Sequence, residues 1–261
     1  MIIDSLTHVT PDGRWFHTNH DAGEIRLLRE MDASNVERAV VVPLAGFIPN
    51  EFVFELCERH PRRLVPGASF NPVTQATPQQ AAAMFRAELR DAPFSVLKLH
   101  PRLNRYDILD PRVAAVLDEL ASWNRSKLVW IDSLLYFAGA SLTKPPVDAL
   151  HHLVSRYPNL KFALLHAAGP AALQLADAIR DCPNTWLDIS FTMRRYAGSS
   201  VATDLAFLLR TFDRRIIFGS DFPEIGLPDA LATFRELCRD VPDDKSANVL
   251  GNNLATLLDK E

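Results

Sequence analysis

Arg214-Arg215-Ile216-Ile217-Phe218-Gly219-Ser220-Asp221-Phe222-Pro223 joins an apolar run, too short for most helices, to a Gly-Ser pair and a single acid before Phe-Pro. The run reads as a buried parallel strand whose C-terminal end delivers Asp221 to a surface. A carboxylate there is poor core filling, because an unpaired buried charge is strongly disfavoured, and the proline ends the strand. Asp221 therefore needs a cation, a proton or a histidine beside it.

The same pattern extends outward through the chain, with apolar runs alternating with amphipathic segments and each pair taking roughly 30 residues, as a βα unit does. Eight strands are predicted, over 1–6, 37–44, 64–70, 94–100, 127–132, 160–166, 184–190 and 214–220. Helices are predicted between them at 21–34, 50–60, 77–91, 110–124, 145–157, 169–181, 200–212 and 227–239, with another at 244–259. Thr77-Pro78 and Asp110-Pro111 place an N-cap oxygen before a proline in the first turn, and Pro228 stands at a similar place. A chain of 261 residues is about the size of one closed (β/α)8 TIM barrel. No linker, charge block or low-complexity tract divides it, so residues 1–261 read as a single domain. A doubly wound open sheet would carry a Gly-x-Gly-x-x-Gly after its first strand, and none is present.

Hydrophobic content of 48% and charged content of 23% describe a globular protein with a large core. A net charge of −4 gives no reason to propose nucleic acid or an anionic membrane as partner. The N-terminus shows no secretory signal and no run approaches a membrane span, so a cytoplasmic location is expected. Cys57, Cys182 and Cys238 are widely spaced and read as reduced thiols rather than a disulfide framework. A homo-oligomer is compatible with all of this.

In such a barrel the active residues come from strand C-terminal ends. Those ends carry His8, Asn71, Lys98 with His100, Asp132, His166, Asp188 with Ser190, and Asp221. Closing the barrel brings them near one axis, as a metal site or an acid/base pair requires. Arg102, Arg105, Lys144 and Arg194-Arg195 follow in strand-end loops of an otherwise acidic protein. They suggest an anionic substrate held by arginine, with Arg102 and Arg194 as binding residues. Tyr136 and Phe137 offer an apolar wall beside it.

An N-terminal Ile-Asp-x-x-x-His, a Lys-Leu-His-Pro, a Leu-Leu-His-Ala-Ala-Gly and the Phe-Gly-Ser-Asp-Phe-Pro above occur in this order. Together with the closing stretch from Val249 to Leu258, they resemble the amidohydrolase superfamily, specifically the amidohydrolase-related (amidohydrolase 2) family. The resemblance implies a barrel of the metal-dependent-hydrolase type. One divalent metal, commonly zinc, activates water for hydrolysis of amides, esters or lactones, and some members decarboxylate or hydrate small acids. By position, the His-x-His of strand 1 falls on Leu6 and His8, the strand 5 His on Asp132, the strand 6 His on His166 and the strand 8 Asp on Asp221.

Leu6 ligates nothing, and Asp132 replaces an imidazole by a carboxylate. The resemblance then implies metal ligands His8, Asp132 and Asp221, with His166 near the open position. A set so rich in oxygen favours manganese as a competitor of zinc. His17 or His20, in the loop after strand 1, would restore the ligand lost at Leu6. A metal-free site makes equal chemical sense: Asp221 as general base, His166 and His100 polarising a carbonyl, Lys98 stabilising the charge that develops.

The expected function is a hydrolase acting on a small anionic amide, ester or lactone, with Asp221, His166, His100 and Lys98 as catalytic groups. A decarboxylase or hydratase is the runner-up. A silent barrel that binds an anionic metabolite or a protein partner is a third reading, favoured by Leu6 and Asp132. The Lys-Leu-His-Pro-Arg variant resembles members tied to surface-polysaccharide biosynthesis, which implies a sugar-linked substrate.

Overall fold

The computed structural model describes residues 1–16, 18–123, 128–137 and 141–258. The strands are β1 (Ile3–Thr7), β2 (Arg38–Val41), β3 (Leu64–Ser69), β4 (Val96–Leu99), β5 (Leu128–Asp132), β6 (Lys161–Leu165), β7 (Thr185–Asp188) and β8 (Ile216–Ile217). They form one sheet in chain order, and neighbouring strands pair parallel. The sheet closes on itself where Ser5 N–H donates to the Phe218 carbonyl (3.0 Å) and Asp221 N–H to the Leu6 carbonyl (3.0 Å). This is the expected (β/α)8 barrel.

The helices are α1 (Glu24–Ser34), α2 (Asn50–Arg59), α3 (Pro78–Leu89), α4 (Pro101–Asn104), α5 (Pro111–Ala121) and α6 (Pro146–Arg156). They continue with α7 (Ala172–Ala178), α8 (Thr192–Arg195), α9 (Ser200–Thr211), α10 (Leu227–Leu237), α11 (Asp243–Ala247) and α12 (Asn253–Leu258). The caps are the expected ones. Thr77 and Gln80 exchange side-chain and backbone bonds in a capping box ahead of α3, and the Asp110 carboxylate accepts from Arg112 N–H at the start of α5.

Side chains alternate along each strand, so one short run of residues serves two layers. On β4, Leu97 and Leu99 face the helices, while Val96 belongs to the barrel interior with Val40, Leu128, Trp130, Ala163 and Ile217. Leu254, Leu257 and Leu258 of α12 join that interior cluster, so α12 caps one end of the barrel with apolar side chains. Lys98 and His100 continue the inward row of β4 toward the other end.

Three predicted elements differ from the observed ones. The strand expected over 214–220 is only Ile216–Ile217, because beyond it the backbone turns to other partners: Phe218 N–H donates to the Val249 carbonyl (3.0 Å) and Ser220 N–H to Asp4 Oδ1 (2.9 Å). The helix expected from 169 starts at Ala172, since His166, Ala167 and Ala168 take φ of 63°, 44° and 55° and Pro170 follows. The helix expected over 244–259 is α11, a π-helical turn over Asn248–Asn252, and α12. At Gly251 a Cβ would stand 2.7 Å from the Met1 carbonyl oxygen, so only glycine lets this turn lie against the start of β1.

Cys57, Cys182 and Cys238 are free thiols. Among the described residues no helix is long and apolar enough to cross a membrane.

Candidate active site

The rim opposite α12 gathers the ionisable strand-end residues. His8, just past β1, donates from Nδ1 to the Val42 carbonyl (2.6 Å), which leaves the Nε2 lone pair facing the barrel axis. Lys98 of β4 points its ammonium at that nitrogen from 3.3 Å, and Asp221 Oδ1 lies 3.8 Å away on the other side. Burial, and then the Lys98 charge, push the His8 imidazole well below its ordinary pKa, so it is a neutral acceptor. Lys98 is 1% exposed. Its burial lowers the ammonium from 10.5 to about 8, against the pull of Asp221 and Asp132.

Asp132, at the end of β5, is wholly buried and surrounded by cations and donors. Oδ2 accepts from Arg102 through Nε (3.3 Å) and a terminal guanidinium nitrogen (3.0 Å), with His100 Nδ1 at 3.4 Å and His166 Nε2 at 3.5 Å. Oδ1 accepts from Leu134 N–H at 3.1 Å. Burial alone would raise this carboxyl; the His166 contact and the Arg102 charge outweigh it and hold Asp132 well below the usual carboxylate range. His166 is driven the other way from His8. Burial opposes its protonation, yet the contact with Asp132 and the Asp221 charge raise its pKa. His100 accepts from Leu103 N–H at Nδ1 (3.3 Å), and burial pushes it well below its ordinary value. A neutral His100 therefore carries its proton on Nε2.

Asp221 sits with φ of 67°, a left-handed conformation rare outside glycine and asparagine. That strain is held by its N–H bond to the Leu6 carbonyl and by Phe222 N–H donating to Ser220 Oγ (3.0 Å). Its carboxylate makes no side-chain hydrogen bond among the described residues. Burial raises its pKa, only partly offset by His166, Lys98 and Arg102.

An open cleft of about 820 Å³ lies over this rim, with Arg102 at the junction between cleft and cluster and Leu134, Phe191, Arg194, Arg195 and Arg26 among its walls. Arg26 is paired with Glu30 (2.7 Å). Arg194 and Arg195, in α8, make no ion pair among the described residues. Tyr136 is not on the cleft; it is 59% exposed, and Leu134 from the same segment lines the wall instead. The side chain of Phe137 and all of His17 lie outside the described residues. His20 does not restore a ligand at the axis, because its Nδ1 bonds the Pro223 carbonyl (2.9 Å) at the cleft edge.

Three further contacts shape the site, none of them legible from residue type alone. Trp15 stacks on His8 (ring centroids 5.4 Å apart) and is pinned by its Nε1–H to Glu224 (2.9 Å), which folds the loop after β1 over the site. Asp4 uses Oδ1 to accept from Leu6 and Ser220 N–H, stitching β1 to the segment that carries Asp221, while its Oδ2 has no partner among the described residues. Ser5 reaches across to Asp188. β1 also shifts register against β2 between Asp4 and Thr7, a local irregularity with no signature in side-chain periodicity.

The expected metal ligands His8, Asp132 and Asp221 share the rim, but they are not assembled as a metal centre. The His8 lone pair takes the Lys98 ammonium, and Asp132 is occupied by Arg102, His166 and the Leu134 N–H. Among the described residues no three His, Cys, Asp or Glu side chains have metal-holding geometry. A divalent ion between His8 and Asp221 would stand against a fixed ammonium. The donor set is therefore corrected to an ion-pair network built around Lys98.

Solved structures share this fold along the whole chain. An uncharacterised TIM-barrel protein from Bordetella bronchiseptica matches with a TM-score of 0.80 at 17% identity, over 99% of this chain and 98% of that one. An amidohydrolase from Burkholderia multivorans with bound zinc matches with a TM-score of 0.69 at 17% identity, over 99% of each chain. A 2,6-dihydroxybenzoate decarboxylase matches with a TM-score of 0.73 at 13% identity, over 99% and 98%. A search of curated protein sequences found no match. The family model described as Amidohydrolase matches residues 11–260, and with the barrel and its strand-end His and Asp residues this places the chain in the amidohydrolase family, a family of enzymes.

Proposed function

We propose that the protein is a hydrolase of small anionic amides, esters or lactones that works without a metal, with Asp221 as the base for water. The observation that carries this reading is the opposite treatment of two carboxylates on one rim. Asp132 is held ionised by Arg102 and His166, while the Asp221 carboxyl is raised and makes no side-chain hydrogen bond among the described residues. Divergent environments for paired acids mark the division between a structural charge and a working base.

In this mechanism a water beside Asp221 gives up a proton to the carboxylate as its oxygen attacks the acyl carbon. Negative charge then develops on the carbonyl oxygen. His166 Nε2–H, the Lys98 ammonium and His100 Nε2–H are the donors that meet it, and in a buried site they require no rearrangement to do so. Protonated Asp221 returns its proton to the leaving nitrogen or oxygen as the bond breaks. Arg194 and Arg195, on the cleft wall and without an ion pair among the described residues, take the substrate's anionic group. Lys98 supplies the fixed positive charge that a metal supplies elsewhere.

The test is acid release, followed by pH-stat, from a panel of carboxylate-bearing esters, lactones and amides, with protein stripped by a chelator and kept in it. Hydrolysis retained in chelator and lost in Asp221→Asn supports the proposal. Hydrolysis that appears only with added zinc or manganese overturns the metal-free mechanism. Carbon dioxide release without hydrolysis would instead make the enzyme a lyase, and ligand binding with no turnover would make it a silent barrel.

A further inference from the structure

Beneath His166 lies a buried set of groups that the mechanism above does not use. Asp188, at the end of β7, is wholly buried and contacts no cation side chain within ion-pairing distance among the described residues. Its carboxylate is satisfied by four donors. Oδ1 accepts from the His166 N–H (3.2 Å), the Ser190 N–H (3.0 Å) and the Ser190 hydroxyl; Oδ2 accepts from the Ser5 hydroxyl. A hydroxyl has one proton to give. Since Ser190 gives its proton to Asp188, its oxygen is an acceptor toward His166 Nδ1, which lies 3.1 Å away, and the Ser190 carbonyl lies 3.2 Å from the same nitrogen. Two acceptors therefore converge on Nδ1, and that nitrogen must carry hydrogen.

The backbone is arranged to make this meeting. The His166 N–H bonds Asp188 instead of the β6 ladder, and a φ of 63° turns the chain sharply just after it. Thr192 Oγ1 donates to the His166 carbonyl (2.6 Å), so both sides of the turn are tied. The Ser5 to Asp188 bond passes over the segment after β8, at Gly219. A Cβ on Gly219 would stand 2.5 Å from Ser5 Oγ, 2.6 Å from Asp188 Oδ2 and 3.1 Å from Ser190 Cβ. The backbone of Gly219 needs no special φ, so its lack of a side chain serves clearance alone.

We propose that Asp188, acting through Ser190 and anchored by Ser5 over Gly219, is a positioning residue for His166. It fixes a proton on Nδ1 and so turns Nε2 toward Asp132 and the barrel axis. Asp188 holds both acceptors at once, the hydroxyl by direct hydrogen bond and the carbonyl through the Ser190 N–H. Nε2 faces the Asp132 carboxylate at 3.5 Å, a contact that also calls for hydrogen. With hydrogen on both ring nitrogens His166 is an imidazolium and presents a donor to the substrate side, whereas His8, with hydrogen on Nδ1 alone, presents a lone pair.

The test reads the ring directly and needs no substrate, so it stands apart from the hydrolase proposal. Protein labelled with 15N-histidine is examined by long-range imidazole correlation spectra, with His166→Gln to assign the ring. The wild type should show a His166 Nδ1–H resonance in slow exchange with water. Ser190→Ala, which keeps the carbonyl acceptor, should retain it with faster exchange. Asp188→Asn and Gly219→Ala should lose it, and Gly219→Ala acts by crowding the Ser5 to Asp188 bond while leaving every hydrogen-bonding residue in place. A wild-type spectrum with the proton on Nε2 alone overturns the proposal, whether or not any variant folds. A wild-type signal persisting in folded Asp188→Asn or folded Gly219→Ala, with cooperative unfolding by circular dichroism, overturns it equally.

Discussion

The two ends of the barrel interior are built from the same strands and buried to the same degree, yet their chemistry is inverted. At the end closed by α12 the inward residues are Val96, Leu128 and Ala163, packed on Leu254 and Leu257. At the other end the same inward rows deliver Lys98 and His100 from β4, Asp132 from β5 and His166 after β6, each under 10% exposed. The apolar end is held by dispersion and the removal of surface from water, which are tolerant of detail. The polar end is held only because each charge has a partner, which is not. Lys98 sits one inward step from Val96, so the boundary between the two regimes is crossed within a single strand.

The comparison is broken hardest at Asp221. Asp221→Asn should lower kcat by at least about a hundredfold in steady-state hydrolysis, since general base work contributes that much or more, while leaving the unfolding midpoint near wild type. A fully active Asp221→Asn protein would remove the base assignment. The mirror substitution at the apolar end is Leu128→Ala. It should cost about 2–5 kcal/mol in urea unfolding, through lost transfer energy and the cavity left behind, with the pH profile of hydrolysis unchanged. If the profile moves as well, the two ends are coupled more tightly than their packing implies.

The pH profile sharpens the difference. Asp221 works ionised, so activity should climb as pH rises through its pKa, above the ordinary carboxylate value of 3.8. Lys98 works protonated, so activity should fall as pH passes through about 8. The expected curve of kcat/KM is a bell, and Lys98→Met should lower it and remove the alkaline limb. A Lys98→Met profile with the same alkaline limb would assign that limb to another group. The smallest effect is expected at the cleft wall, where Arg194→Ala should raise KM by about tenfold with kcat nearly unchanged, as loss of uniform binding does. A change confined to kcat would place Arg194 at the reacting centre instead.

Much of the fold was legible in particular residues. Thr77-Pro78 and Asp110-Pro111 predicted two helix starts correctly, and Val40-Val41 and Val96-Leu97 marked strands by composition. His8, Lys98, His100, Asp132, His166 and Asp221 were legible as strand-end groups, because barrel closure brings every such end to one rim. Their pairing was not. Asp132 read from sequence as a metal ligand, but the reach of Arg102 from α4, one turn past β4, makes it the centre of an ion-pair cluster. Tyr136 read as a wall of the site and faces solvent, since the short 3-10 turn over Leu135–Phe137 turns it outward.

Local sequence determined which residues become strands, which cap helices and which charged side chains reach the rim, because apolar alternation and capping act over a few residues. Tertiary structure alone decided what those charges do. Whether His8 offers a lone pair or His166 a donor, and whether Asp132 or Asp221 is the free carboxylate, depends on partners far away in the chain: Val42, Lys98, Arg102, Asp188 and Ser190. Protonation in a buried site follows the nearest charges and hydrogen bonds, and those neighbours are fixed only when the barrel closes.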